Sequence, residues 1–182
     1  LNILQNIYKV KSGQILLNNI DIQHVSIESL RENIAGVSQH IDLFKGELLE
    51  NIAIGDYEPD IKKINELIDH FGFNEFIESL PNGLRTFVEE NGINFSGGER
   101  QKIGILRAFY KGSKIVLLDE TTSAMDRISE NKVLSALKKF TYNGRTILFV
   151  THRINVMKLA DTIAFLQNGK IVEKGDYETL IK

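Results

Sequence analysis

The chain has 182 residues and a formal net charge of −2, from 22 lysines and arginines against 24 acids. It is long enough for one sizeable core and carries no basic footprint for nucleic acid. It contains no cysteine, which excludes disulfides and thiolate metal sites and fits a reducing compartment. Its apolar runs, such as 115–118 and 146–150, fall far short of the roughly 20 residues that span a bilayer. A membrane connection would therefore run through a partner or through polypeptide outside these residues. The first residues also lack the cationic start and apolar centre of a signal peptide.

Leu1, Leu4, Ile7 and Tyr8 recur at helical spacing, so the chain is expected to open inside a helix with no capping residue ahead of it. Ser12-Gly13 predicts a turn into residues 14–17, and Asn18-Asn19 a second turn into 20–22; together they form a hairpin. Ser26 is placed to cap a short helix through Arg31, with Glu28 in the first turn, where the helix dipole favours an acid. Residues 34–37 then read as a buried strand that ends at Ser38-Gln39. From 46 to 111 the pattern turns helical. Pro59 marks a helix start, and Ile61, Ile64, Leu67 and Ile68 form one apolar stripe, continued by Phe71, Phe73, Phe76, Ile77 and Leu80. Such a stripe is expected to pack a core.

Ser96 followed three residues later by Glu99 is a capping box, which starts a helix running through Ile103, Leu106 and Arg107 toward Lys111. Gly97 and Gly98 lie in its first turn, where each glycine costs about 1 kcal/mol of helix stability relative to alanine. That cost predicts a close approach to the backbone. Free N–H groups, a serine hydroxyl and no Cβ in the way make a good receptor for a phosphate. Residues 115–118 form an apolar run without alternation, a strand buried on both faces, and Asp119 and Glu120 cap its C-terminal end. Ligands of open α/β sheets sit at the carboxyl ends of strands, so adjacent acids there suit Mg²⁺ binding and general-base work on a nucleotide phosphate. Taken singly, the glycine pair also suits an ordinary turn and the acid pair a solvated strand end.

Asp126 is placed to cap the next helix, whose buried stripe is Val133, Leu134, Leu137 and Phe140 and whose stop is Asn143-Gly144. Residues 146–150 are expected to form a further buried strand, with His152 directly after it. Asn168-Gly169 between apolar strands is a type I′ turn signal. His24, His40 and His70 have no comparable context and receive no role.

In order and spacing, residues 95–126 resemble the signature motif, Walker B strand, catalytic glutamate and D-loop of an ATP-binding cassette, the nucleotide-binding domain of ABC transporters. Met125 stands where leucine is commoner, a substitution that conserves volume, and Glu99 where glutamine is commoner. Gln39, with Leu43-Phe44-x-Gly46 and Glu50-Asn51-Ile52 beyond it, is similar to the Q-loop of exporters in particular. Leu80-Pro81-x-Gly83 and Val88-Glu89-Glu90-Asn91-Gly92 resemble the exporter X-loop, with Glu89 where glycine is commoner. Phe149-Val150-Thr151-His152-Arg153, with Ala160-Asp161 and residues 167–172, is similar to the H-loop and closing hairpin.

The resemblance covers nearly the whole chain and implies an α/β fold, a P-loop NTPase-like (RecA-like) core with a helical subdomain insertion, N-terminally truncated. Residues 1–44 and 113–182 would form the core and 45–112 the helical subdomain carrying the signature motif. No Gly-x-x-x-x-Gly-Lys-Ser/Thr occurs, and the one Gly-Lys pair, Gly169-Lys170, is followed by isoleucine. The opening residues look like the tail of the helix behind that loop. The 182 residues alone are thus expected to bind ATP very weakly and hydrolyse none. In the complete domain the family implies ATP and Mg²⁺ as cofactors, Glu120 and His152 as catalytic residues, Asp119 and Gln39 at the metal, and Gln39, Ser96, Gly97, Gly98, Glu99 and Asp126 at the nucleotide. Asp126 suits the D-loop and the helix cap equally. Implied partners are the transmembrane domain of an exporter and a second nucleotide-binding domain packed head to tail, on the cytoplasmic side of the membrane, with no nucleic acid. A soluble cassette ATPase and a non-catalytic cassette that only pairs with a complete one are the alternatives. The charge balance and the exporter-like stretches at 43–52 and 88–92 disfavour the first.

Overall fold

The structure, a computed structural model, describes residues 1–142 and 144–181. It divides into two compact units, Leu1–Phe149 and Val150–Lys182.

Residues 2–8 form turns where the apolar spacing predicts a helix. Leu4 N donates to Leu1 O at 2.9 Å and Ile7 N to Asn2 O at 3.0 Å, but Asn6 takes a φ of 56°, a left-handed conformation that ends a right-handed helical path. Of the four apolar residues, Leu1 and Leu4 pack on a small core of Ile22, Leu30, Ile34 and Leu117, while Ile7 and Tyr8 are exposed. Strands β1 (Leu16–Leu17) and β2 (Ile20–Asp21) pair antiparallel. Asn18 and Asn19, at φ 48° and 64°, make the type I′ turn that their sequence favours. Ser26 Oγ accepts from Ser29 N at 3.2 Å and starts α1 (Ile27–Asn33), which leads directly into β3 (Ile34–Val37).

Next come β4 (Gly46–Glu47), α2 (Leu48–Ile52), α3 (Ile61–Phe71), α4 (Asn74–Ser79), β5 (Phe87–Val88) and α5 (Gly97–Tyr110). The Asp60 carboxylate caps α3 by accepting from Lys63 N at 3.0 Å, and Gly72, at φ 67°, closes it. The stripe of Ile64, Leu67, Ile68 and Phe71 is buried as expected. The Phe71 ring stacks on Phe73 at 5.7 Å and meets Phe109 of α5 edge-on at 5.0 Å, geometries that aromatic pairs favour. Then follow β6 (Ile115–Asp119), α6 (Arg127–Thr141) and β7 (Thr146–Val150). Phe140 of α6 stacks on the same Phe71 ring at 5.6 Å, tying this helix to the aromatic core. Asn143 of the predicted helix stop lies outside the described residues, and Gly144 follows at φ 73°.

The sheet runs in the order β3-β6-β7. β3 and β6 are parallel, with Ile34 opposite Ile115 and Val37 opposite Leu118. Central β6 is buried on both faces, with Val116, Leu117 and Leu118 no more than 1% exposed. β7 departs from the expected burial: its residues alternate, and Leu148 is 39% exposed. Its place at the end of the strand order does not account for this, since β3 at the other end keeps Ile34, Ala35 and Val37 buried.

The second unit holds α7 (Ile154–Met157), β8 (Ile163–Gln167), β9 (Lys170–Gly175) and α8 (Tyr177–Leu180). β8 and β9 form an antiparallel hairpin, and Asn168 and Gly169 turn it at φ 51° and 76° as predicted. Among the described residues no helix is long and apolar enough to cross a membrane.

Candidate functional site

Parallel strands deliver their C-terminal ends to the same sheet edge, where α/β folds place ligands. Val37 and Leu118 are paired in register, so Ser38-Gln39 and Asp119-Glu120 emerge side by side. Gln39 Nε2 donates to Glu120 Oε2 at 3.0 Å. Glu120 has a φ of 46°, a left-handed backbone that costs a non-glycine residue about 1–3 kcal/mol and persists only where the surroundings enforce it. Those surroundings are specific. Glu120 O accepts from Ser123 N at 3.0 Å, Thr121 Oγ1 donates to Val37 O at 3.4 Å, and Thr122 Oγ1 donates to Glu130 Oε1 at 2.8 Å.

Asp119 is the last residue of β6 and is half-buried. Among the described residues no three His, Cys, Asp or Glu side chains gather as a metal cage. Mg²⁺ does not need one, because it commonly takes one or two carboxylates and completes its shell with water and substrate phosphates. The oxygen donors of Asp119 and Gln39 fit that sparse set.

A second cluster forms where α5 begins. Ser96 N donates to Glu99 Oε2 at 2.7 Å and Glu99 N to Ser96 Oγ at 3.3 Å, so the predicted capping box is present and Glu99 turns back into it. The close approach predicted from the glycines also exists. A Cβ on Gly98 would lie 2.8 Å from the Ala124 carbonyl oxygen, whereas one on Gly97 would make an ordinary 3.4 Å contact with Ala124 Cβ. The neighbour that requires Gly98 is thus this chain's own 123–126 loop. Gln101, 3% exposed, reinforces the same contact by donating to Ser123 Oγ at 3.1 Å and accepting from Ala124 N at 3.0 Å. Sequence reasoning missed Gln101, although a polar residue three positions before Gly104 and four before Ile105, on the helix's buried side, was a usable signal. Asp126 caps α6, accepting from Ile128 N and Ser129 N at 2.9 Å each. Hydrogen bonds from Ser129 hold its carboxyl below the usual carboxylate range.

The stretch beyond Gln39 is fastened to α5. Arg107 Nε donates to Asn51 O at 2.8 Å and Nη1 to Asp42 O at 3.0 Å. Asn51 in turn accepts from Phe44 N and donates to Phe44 O, both at 2.8 Å. Burial pushes the Arg107 guanidinium down from its ordinary pKa. Gly104 leaves room for Ile41, whose Cδ1 would lie 2.8 Å from an added Cβ. Arg107 and Asn51 are further residues whose positioning work the sequence did not disclose.

The residues 120–126 therefore join the Gln39–Glu120 pair to the glycine-opened helix. His152 is the second residue after β7 and belongs to the second unit.

An acid-tipped parallel strand beside a glycine-opened, serine-capped helix defines an α/β protein of the P-loop NTPase type. The chain belongs to the ABC transporter family, whose description matches residues 1–123. It is 41% identical over 180 residues to the ATP-dependent lipid A-core flippase of Legionella pneumophila (strain Lens), a match covering 99% of this chain and 30% of that protein. It is 40% identical over 184 residues to ATP-binding cassette sub-family B member 5 of Mus musculus, covering 100% of this chain and 15% of that protein. Its fold superposes with a TM-score of 0.92 and 33% identity on a bacterial Atm1-family ABC exporter with ATP bound, covering 99% of this chain and 31% of that one. The chain thus spans less than a third of the length of these relatives.

Proposed function

We propose that these residues belong to the ATP-binding and ATP-hydrolysing domain of an ABC exporter, which couples hydrolysis to movement of a substrate across a membrane. The observation that carries this reading is the 3.0 Å contact of Gln39 with Glu120 at the ligand edge of a parallel sheet, beside Asp119. In this reading Glu120 polarises the attacking water, Gln39 senses that water and the ion, and His152 steadies the γ-phosphate. Asp119 and Gln39 would hold Mg²⁺, which when bound neutralises charge on the phosphates. Ser96, Gly97 and Gly98, together with Asp126, would face nucleotide held by a second cassette packed head to tail, the open helix start favouring an anion, with Glu99 at the same site keeping its carboxylate turned back in the capping box.

Residues 45–112 would act as a helical subdomain against a core of 1–44 and 113–182, and the whole would work on the cytoplasmic side of the membrane beneath a transmembrane domain. The likeness to an exporter solved with ATP bound, and to proteins named as flippases, supports the transport reading over a soluble cassette ATPase. The test is Glu120→Gln in the intact natural protein. Turnover of Mg-ATP should vanish while ATP-dependent dimerisation persists, and retained turnover would remove Glu120 as the base.

A further inference from the structure

Among the described residues Glu130 is the one carboxylate inside the core, 3% exposed, and the proposed chemistry makes no use of it. A buried carboxylate is costly unless it is hydrogen-bonded. Here Thr122 Oγ1, on a residue itself 6% exposed, donates to Glu130 Oε1 at 2.8 Å. Glu130 also lies in the first turn of α6, where the amide dipoles favour negative charge. The arrangement is fit to hold an anchor in place.

What it anchors is the turn leaving β6. Thr121 is tied to Val37 O, the carbonyl just ahead of Ser38-Gln39. Thr122 O accepts from Met125 N at 3.2 Å, and Gln101 holds Ser123 and Ala124. Of these ties only the Thr122–Glu130 bond binds the turn to α6 through two buried side chains. The left-handed backbone of Glu120, at φ 46°, relaxes unless the residues after it are fixed.

We infer that Glu130 is a positioning residue for the proposed base: acting through Thr122, it holds the turn that keeps the Glu120 carboxylate against Gln39. This rests on the reading of Glu120 as the group that activates water. Misplacing a catalytic group by about 1 Å costs on the order of a hundredfold in rate, so a partial relaxation is expected to show in kcat rather than in nucleotide affinity.

The experiment uses the intact natural protein, with kcat and KM for Mg-ATP measured separately and amide hydrogen exchange followed over residues 120–125. Thr122→Val, which keeps the shape and removes the donor, should lower kcat at least about tenfold with KM within about twofold, and should speed exchange across the turn. Thr122→Ser should restore both. Glu130→Ala should lower kcat at least as far as Thr122→Val, and the double variant should be no worse than Glu130→Ala, because both changes break the Thr122–Glu130 bond. If Glu130→Ala fails to fold, the Thr122 pair decides alone. A Thr122→Val protein with unchanged kcat, a loss confined to KM, or a Ser variant as impaired as the Val variant would overturn the inference. If the unsubstituted protein turns over no ATP, the functional reading falls separately. Exchange then decides the positioning claim, and unchanged exchange in Thr122→Val overturns it.

Discussion

Glu99 has a carboxylate where glutamine is commoner in the family it resembles, and its side chain is occupied by Ser96 N at 2.7 Å. A glutamine oxygen can accept the same bond, so the capping box survives Glu99→Gln, while the loss of charge at the helix start costs about 0.3–1 kcal/mol. The expected outcome is an ATPase rate in the intact protein changed only modestly. A large gain or loss would mean that the carboxylate does not stay in the box. Gly98 and Gly97 make the opposite kind of pair, alike in sequence and different in space. Alanine at either gains up to about 1 kcal/mol of helix propensity, but at Gly98 its Cβ would stand 2.8 Å from the Ala124 carbonyl, a backbone atom that yields little. Overpacking of that sort costs about 1–3 kcal/mol. Gly98→Ala should therefore destabilise the protein and Gly97→Ala should not, as read from urea midpoints. Equal effects would refute the contact.

At the scale of elements, α5 is the part on which the others are hung. Its start carries the capping box, Gln101 grips the 123–126 loop, Gly104 seats Ile41, and Arg107 holds the stretch that follows Gln39. Hydrogen bonds from a charged donor contribute about 1.5–3 kcal/mol each, and Arg107→Ala removes them while leaving the Asn51 carbonyl without this partner. The variant should lose about 2–4 kcal/mol and show faster amide exchange at 42–47. Lysine cannot reproduce the fork, so Arg107→Lys should recover only part. Full recovery by lysine would point to charge alone. β7 shows the limit of pattern reading: its apolar run promised burial on both faces, yet Leu148 is 39% exposed, whereas the similar run of β3 at the other end of the strand order is buried.

For the molecule as a whole, stability against acid follows from three aspartates whose carboxyls sit below the ordinary range. Asp56 is held there by the Tyr110 hydroxyl, and Asp126 and Asp176 by bonds from Ser129 and Thr179. A carboxyl with a folded pKa below its unfolded value binds fewer protons when folded. Its contribution is fully present above about pH 3.9, the unfolded value, and is lost as pH falls through the lower folded value. Unfolding followed against pH should therefore steepen below about pH 4, and less so in Asp126→Asn. An Asp126→Asn protein with the same acid slope would count against the cap. The exposed pair Lys62–Glu66, at 4.0 Å, should add almost nothing, as is usual for solvated ion pairs.

The sequence by itself determined the local devices: the Ser26 and Ser96 caps, the Asn18-Asn19 and Asn168-Gly169 turns, the apolar stripe of α3 and the buried strand tipped by Asp119 and Glu120. These depend on residues within a few positions of one another, where propensity and periodicity act. The opening residues mark the boundary, since their helical spacing announced a helix, yet Asn6 is left-handed and only Leu1 and Leu4 of the four pack on a core. Only the tertiary structure decided which neighbour requires Gly98, that Gln101, Arg107 and Asn51 are fasteners, and that Glu130 lies inside the core beside Thr122. It also decided that Gln39 meets Glu120 across 81 residues of chain. Such contacts are set by the parallel register of β3 with β6 and by the seating of α5. They join residues distant in sequence, and no local pattern encodes their separation in space.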